Sequence, residues 1–166
     1  MAALIILYTL PALMLTAAIT DITRFVIPNW IALAVVGCFL VAGPLSGLDV
    51  AAMGVHVLVG AIALAVGFTL FFVGILGGGD AKLIAAGALW FGPAGVLPYA
   101  LAIAISGGVL CLLLLAYRAI PSPMTSAGWL RTLHDPSSGV PYGVAIATGA
   151  VMALPTTGWM ALAYSA

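Results

Sequence analysis

Polar positions in this chain are rare and bunched, and between them apolar residues run on for lengths that suit helices crossing a bilayer. Six apolar segments can be marked: Ala2 to Thr20, Trp30 to Val41, Val50 to Leu76, Ala81 to Phe91, Val96 to Ile120 and Val140 to Tyr164. Gly43-Pro44, Gly77 to Gly79 and Gly92-Pro93 punctuate the joins, because glycine permits turns and proline ends helices. No internal repeat, low-complexity tract or second domain is evident. The pattern predicts an all-α polytopic membrane protein, one domain over residues 1–166, with six transmembrane helices.

Charge gives the helices a direction. Lys and Arg collect on the cytoplasmic side of a membrane protein. Arg24 lies in the first connection, Lys82 just after the third, and Arg118 and Arg131 in or beside the fifth. Connections two and four carry only Asp49. Six helices with both termini on the non-cytoplasmic side follow from this, and Asp21 and Asp80 then share the cytoplasmic face. A five-helix count would need one helix from Ala81 to Ile120 across Pro93 and Pro98. Segment four is short: its eleven residues cover only about 17 Å of a roughly 30 Å hydrocarbon core. Either the bilayer thins there, or nearby backbone sits in a protein-lined, wet cavity below the surface.

Composition agrees and removes alternatives. Hydrophobic residues make up 65% of the chain and charged ones 5%, far below the roughly one quarter charged of a soluble domain. Net charge is zero, which gives no argument for a nucleic-acid partner. Cys38 and Cys111 stand alone in apolar runs and read as small buried hydrophobes. The first run has no Lys or Arg before it and is about long enough to span, so it reads as a retained helix rather than a secretory signal. The polar stretch Arg118 to Gly139 reads as a loop long enough to cover a site, with Trp129 and Leu130 suited to the membrane interface.

Against this background, carboxylates at membrane helices stand out, because such groups are expensive there and usually functional. Asp21 closes the first segment and Asp80 opens the fourth, behind Gly77-Gly78-Gly79. Two acids brought close cannot both ionise cheaply, so one keeps a proton while the other activates water, the amide-hydrolysing arrangement of aspartic proteases. Singly, Asp80 fits a helix N-cap and Asp21 a partner for Arg24. Neither reading explains three glycines, which permit close backbone approach and leave the carboxylate uncovered. Helix dipoles suggest Asp80 as the base and Asp21 as the acid. Lys82 reads as a residue snorkelling to headgroups, and Pro28-Asn29 as the start of the second helix with Asn29 capping it. His56 fits helix packing, and His134 has no partner at metal spacing. No metal or cofactor is expected.

These residues resemble a known family. Gly77-x-Gly79-Asp80 is the Gly-x-Gly-Asp signature of intramembrane aspartyl proteases. Asp80-Ala81-Lys82, the Asp21 to Ile27-Pro28-Asn29 stretch and Pro141-Tyr142-Gly143-Val144-Ala145 resemble type IV prepilin peptidases in particular. The resemblance implies cleavage of the leader from prepilins or pilin-like secretion subunits at the cytoplasmic face of a prokaryotic inner membrane. Asp21 and Asp80 match the catalytic pair, with Gly77, Gly78, Gly79, Lys82, Pro28, Asn29, Pro141 and Tyr142 in support. Larger members also N-methylate the product and carry a cysteine-rich insertion, which is absent here. The chain is similar to the small, protease-only kind of tight-adherence pili, without a methyltransferase domain. Substrate and membrane lipid are the expected partners; oligomeric state is left open. The alternative is a non-enzymatic membrane protein, such as a proton-linked transporter with Asp21 and Asp80 as a relay. Its inverted repeats are not found.

Overall fold

The computed structural model describes residues 2–120 and 128–159, with side chains from residue 8 onward. Among the described residues every regular element is helical: α1 (Ala2–Arg24), α2 (Asn29–Leu45), α3 (Val50–Phe72), α4 (Gly78–Arg118), the short α5 (Gly128–His134) and α6 (Tyr142–Ala153), with 3₁₀ turns at Pro136–Ser138 and Leu154–Thr156. Five of the expected segments begin within about three residues of a helix, and the first runs four residues beyond Thr20 to Arg24. The stretch Arg118 to Gly139 is not all loop, since α5 and a 3₁₀ turn lie within it. Its residues 121–127 fall outside the described residues, as do residues 160–166 of the last apolar segment.

The fourth and fifth segments join in α4, but not as a straight rod. Gly92 breaks the helix with φ 57° and ψ −166°, a left-handed φ open to glycine at no steric cost. Pro93 follows, and having no N–H it leaves the Leu89 carbonyl without its usual donor. That carbonyl is taken by His56 Nδ1 from α3 at 2.6 Å, which fixes Nδ1 as the protonated nitrogen because a carbonyl only accepts. His56 also stacks on Phe39 of α2, with ring centroids 5.5 Å apart. Beside it, Trp159 Nε1 donates to the Trp90 carbonyl at 2.7 Å, and Trp90 Nε1 to the Val35 carbonyl at 3.0 Å.

The first half of α4, Gly78 to Phe91, is the centre of the bundle. Beyond Asp80 and Lys82 it is apolar, and nine of the eleven positions from Ala81 to Phe91 are buried. At 1.5 Å per residue this rod is about 21 Å long. Its shortness is met by protein around it, α3 on one side and α6 and α2 on the others, with Met14 of α1 reaching Gly87. Small residues allow the close approach: Gly67 of α3 meets Ala81, and Gly149 of α6 meets the backbone of Ile103 in the second half of α4. Outward faces are apolar as well, with Leu33, Leu58, Ile62, Leu101, Ile105 and Leu112 all more than half exposed. Two helices, Val50–Phe72 and Gly78–Arg118, are long and apolar enough to cross a membrane.

Candidate active site

One end of the bundle gathers the C-termini of α1, α3 and α4 with the N-termini of α2, α4 and α6. Asp49, the N-cap of α3 accepting from the Ala52 amide at 2.7 Å, sits at the other end with His56 and Trp159. Arg24, Lys82 and Arg118 all stand at the end that holds Asp21 and Asp80.

Asp21 lies in the last turn of α1. Its backbone carbonyl accepts from Phe25 at 2.8 Å, and Phe25 takes a positive φ of 53° to carry the chain out of the helix. The side chain is 6% exposed and is the one buried charged or polar residue among those described. It does not pair with Arg24. Instead its Oδ2 accepts the backbone N–H of Gly143 at 2.7 Å. Gly143 follows Pro141 (the N-cap) and Tyr142 in the first turn of α6, where backbone amides have no helical partner. A carboxylate there satisfies one orphan donor and meets the positive end of the helix dipole.

Asp80 is half-buried, in the first turn of α4. It is not the N-cap; Gly77 is, and the glycines form the turn itself rather than a linker before it. The Gly77 amide donates back to the Asp80 carboxylate, as in half of a capping box. Asp80 and Asp21 are near enough for their charges to interact. Ile27, from the α1–α2 connection, fills the space between the two helix starts. A Cβ on Gly79 would lie 3.2 Å from Ile27 Cβ, and one on Gly143 would lie 3.1 Å from Ile27 Cδ1 and 2.9 Å from Asp21 Oδ2.

The remaining expected residues divide. Lys82 Nζ donates to Asn29 Oδ1 at 3.0 Å, so the lysine ties the start of α4 to the start of α2. Asn29 is accordingly not a cap: Pro28 holds the N-cap position and no side chain caps α2. Pro141 is fully buried. Tyr142 reaches across to Gly107 in the second half of α4, where its ring leaves no room for a Cβ, and its hydroxyl is close enough to feel the Asp80 charge. Gly78 has only ordinary contact with Phe71 at 3.4 Å. It is the one glycine of the three that no close neighbour demands.

Residues 8–116 match the type IV leader peptidase family. The chain belongs to that family. Neither a curated protein nor a solved structure matches it. The chain is therefore a peptidase, and the transporter reading falls. The family match takes in Asp21, Asp80 and the glycines but stops short of α6, so the partnership of Asp21 with Gly143 rests on the three-dimensional arrangement.

Three contributors to this candidate site were not among the expected residues. Gly143 carried a signal in Pro141-Tyr142-Gly143, where a proline followed by glycine marks a helix start with a bare amide. Ile27 carried none beyond its place before Pro28. Arg118 was counted only as a charge, yet its Nε donates to the Leu133 carbonyl at 2.9 Å and its Nη2 to Ser138 Oγ and the Gly139 carbonyl at 3.1 and 2.7 Å. It holds the segment leading into Pro141. Nearby, the amide and hydroxyl of Ser137 donate to Asp135 and hold its carboxyl below the usual carboxylate range.

Proposed function

We propose that this protein is a membrane aspartyl endopeptidase that removes the N-terminal leader from prepilins or pilin-like secretion subunits at the cytoplasmic face of a prokaryotic inner membrane. Asp21 and Asp80 are the catalytic pair. The observation that carries the reading is their convergence, from residues fifty-nine apart, at one end of the bundle under backbone donors from Gly143 and Gly77. Membership of the leader peptidase family supports the substrate class, the apolar outer surface supports a bundle of six spans, and the basic residues Arg24, Lys82 and Arg118 at the end of the pair support both termini outside. Residues 1–166 act as one protease domain.

The pair holds one proton between its carboxyl groups and a water beside it. One carboxylate takes a proton from the water as its oxygen attacks the scissile carbonyl carbon. The other acid gives its proton to the carbonyl oxygen. Collapse of the resulting diol breaks the C–N bond, the departing amine takes a proton, and the pair regains its starting state. Because the Gly143 amide needs an acceptor, Asp21 Oδ2 stays unprotonated and any proton on Asp21 sits on Oδ1. The dipole at the end of α1, which suggests Asp21 as the acid, is opposed by the N-terminus of α6 that Asp21 also faces. The two act as a unit.

Co-expression of a tagged prepilin with wild type, Asp21→Asn and Asp80→Asn tests this. Mass spectrometry of the prepilin should show the leader removed by wild type and retained with either variant, with rates down at least about a thousandfold. Cleavage persisting in either variant would falsify the shared mechanism.

A further inference from the structure

Beside the candidate site, a groove without a role runs between α2 and α3. These helices are consecutive and meet at Phe39 and His56, but along the rest of the groove each packs on α4 instead. The space between them is about 640 Å³, floored by Ala85, Ala86 and Leu89 of α4 and walled by residues such as Ala32, Val36 and Ala61. Only Asn29 and Lys82 interrupt its apolar lining, and both stand at one end, where Lys82 Nζ is 3.0 Å from Asn29 Oδ1.

The geometry points to a binding site for one anionic phospholipid, with an acyl chain along the groove and the phosphate at Lys82. Charge comes first. Lys82 offers three donors and spends one on Asn29, and no carboxylate lines the groove to balance its charge. A phosphate at that mouth supplies the missing anion and accepts the remaining donors. Length comes second. Along α2 the groove runs from Asn29 to Leu40, about 16 Å at 1.5 Å per residue, or half of a roughly 30 Å hydrocarbon core. That is the depth of one leaflet. The small walls Ala32, Gly60 and Ala61 open room for a thin chain. This inference rests on the membrane reading above and not on the catalytic one.

The test uses the full chain purified in mixed micelles with equal phosphatidylglycerol and phosphatidylcholine, read by native mass spectrometry. Wild type should retain phosphatidylglycerol about tenfold over phosphatidylcholine. Lys82→Met should bring that ratio near one, and Ala61→Phe, which fills the groove from an exposed position, should lower retention of both lipids without changing thermal unfolding. Equal retention of the two lipids by wild type overturns the proposal, as does Ala61→Phe binding phosphatidylglycerol like wild type. A photo-crosslinker at position 61 that captures an added apolar helical peptide in place of lipid also overturns it. Alkaline carbonate extraction of the same membranes checks the membrane reading separately: a chain that stays in the pellet yet shows no lipid preference sinks this proposal alone.

Discussion

The Gly143 backbone amide donates to Asp21 Oδ2 at 2.7 Å, joining the first turn of α6 to the last turn of α1 across 122 residues of chain. That bond occupies Oδ2 of Asp21, and it exists only because residue 143 has no side chain. A Cβ there would stand 2.9 Å from Oδ2 and 3.0 Å from Asp21 Cβ. Gly143→Ala should therefore move the carboxylate, or α6, by several tenths of an ångström. Such overpacking costs about 1–3 kcal/mol of stability. Cleavage of prepilin should fall about a hundredfold, since displacements on this scale cost that much in positioned chemistry. Initial cleavage rates and thermal unfolding in detergent, measured on the same preparation, separate the two effects; a wild-type rate would show that Gly143 does not position Asp21.

The three glycines before Asp80 should not be equivalent. Gly77→Ala puts a Cβ 2.6 Å from Asp80 Oδ2, at the movable end of a side chain, so stability should hold while cleavage drops at least tenfold as the carboxylate swings away. Gly79→Ala meets Ile27 Cβ at 3.2 Å and should lower stability and cleavage together. Gly78→Ala has ordinary contact distance to Phe71 and should cleave within about twofold of wild type, helped by the better helix propensity of alanine. A rate for Gly78→Ala as poor as that for Gly77→Ala would contradict this account.

Much of this was legible in the sequence, and the limits of legibility have physical causes. Apolar segments and breakers gave the helices, because a chain with 65% hydrophobic residues leaves few places for a turn. The break at Gly92-Pro93 was visible for the same reason. What the sequence could not supply was partnership at long range. Lys82 reads locally as a snorkelling lysine, and only the approach of α2 reveals Asn29 as its acceptor. Asp21 reads locally as a residue at an unfavourable helix end, and only the arrival of α6 turns that environment around. His56 looked like packing, but its hydrogen bond answers a proline 37 residues away.

Arg118 should act at a distance from the peptide bond being cut. Its three hydrogen bonds to Leu133, Ser138 and Gly139 fix the chain just before Pro141, and through it the Gly143 amide. Arg118→Met removes the fork and should slow cleavage about tenfold, the equivalent of one charged hydrogen bond. Arg118→Lys keeps the charge but not the planar donors and should recover only part of the rate. Amide hydrogen exchange in residues 133–139 should rise in both variants. If exchange rises and the rate does not change, Arg118 orders that segment without positioning the site.

His56 offers a test of the fold at the opposite end of the bundle. Pro93 cannot bond the Leu89 carbonyl, and the imidazole of His56 does so at 2.6 Å while stacking on Phe39. His56→Phe keeps an aromatic ring against Phe39 and removes only the donor. The carbonyl is then left buried without a partner, at about 1–3 kcal/mol. Thermal unfolding in detergent should shift down accordingly, whereas His56→Gln, whose amide can donate, should lie between the two. Because the change is far from Asp21 and Asp80, cleavage measured well below the unfolding temperature should stay near wild type. Equal unfolding temperatures for His56→Phe and wild type would mean that the Leu89 carbonyl finds another donor, and that the kink at Gly92 stands without α3.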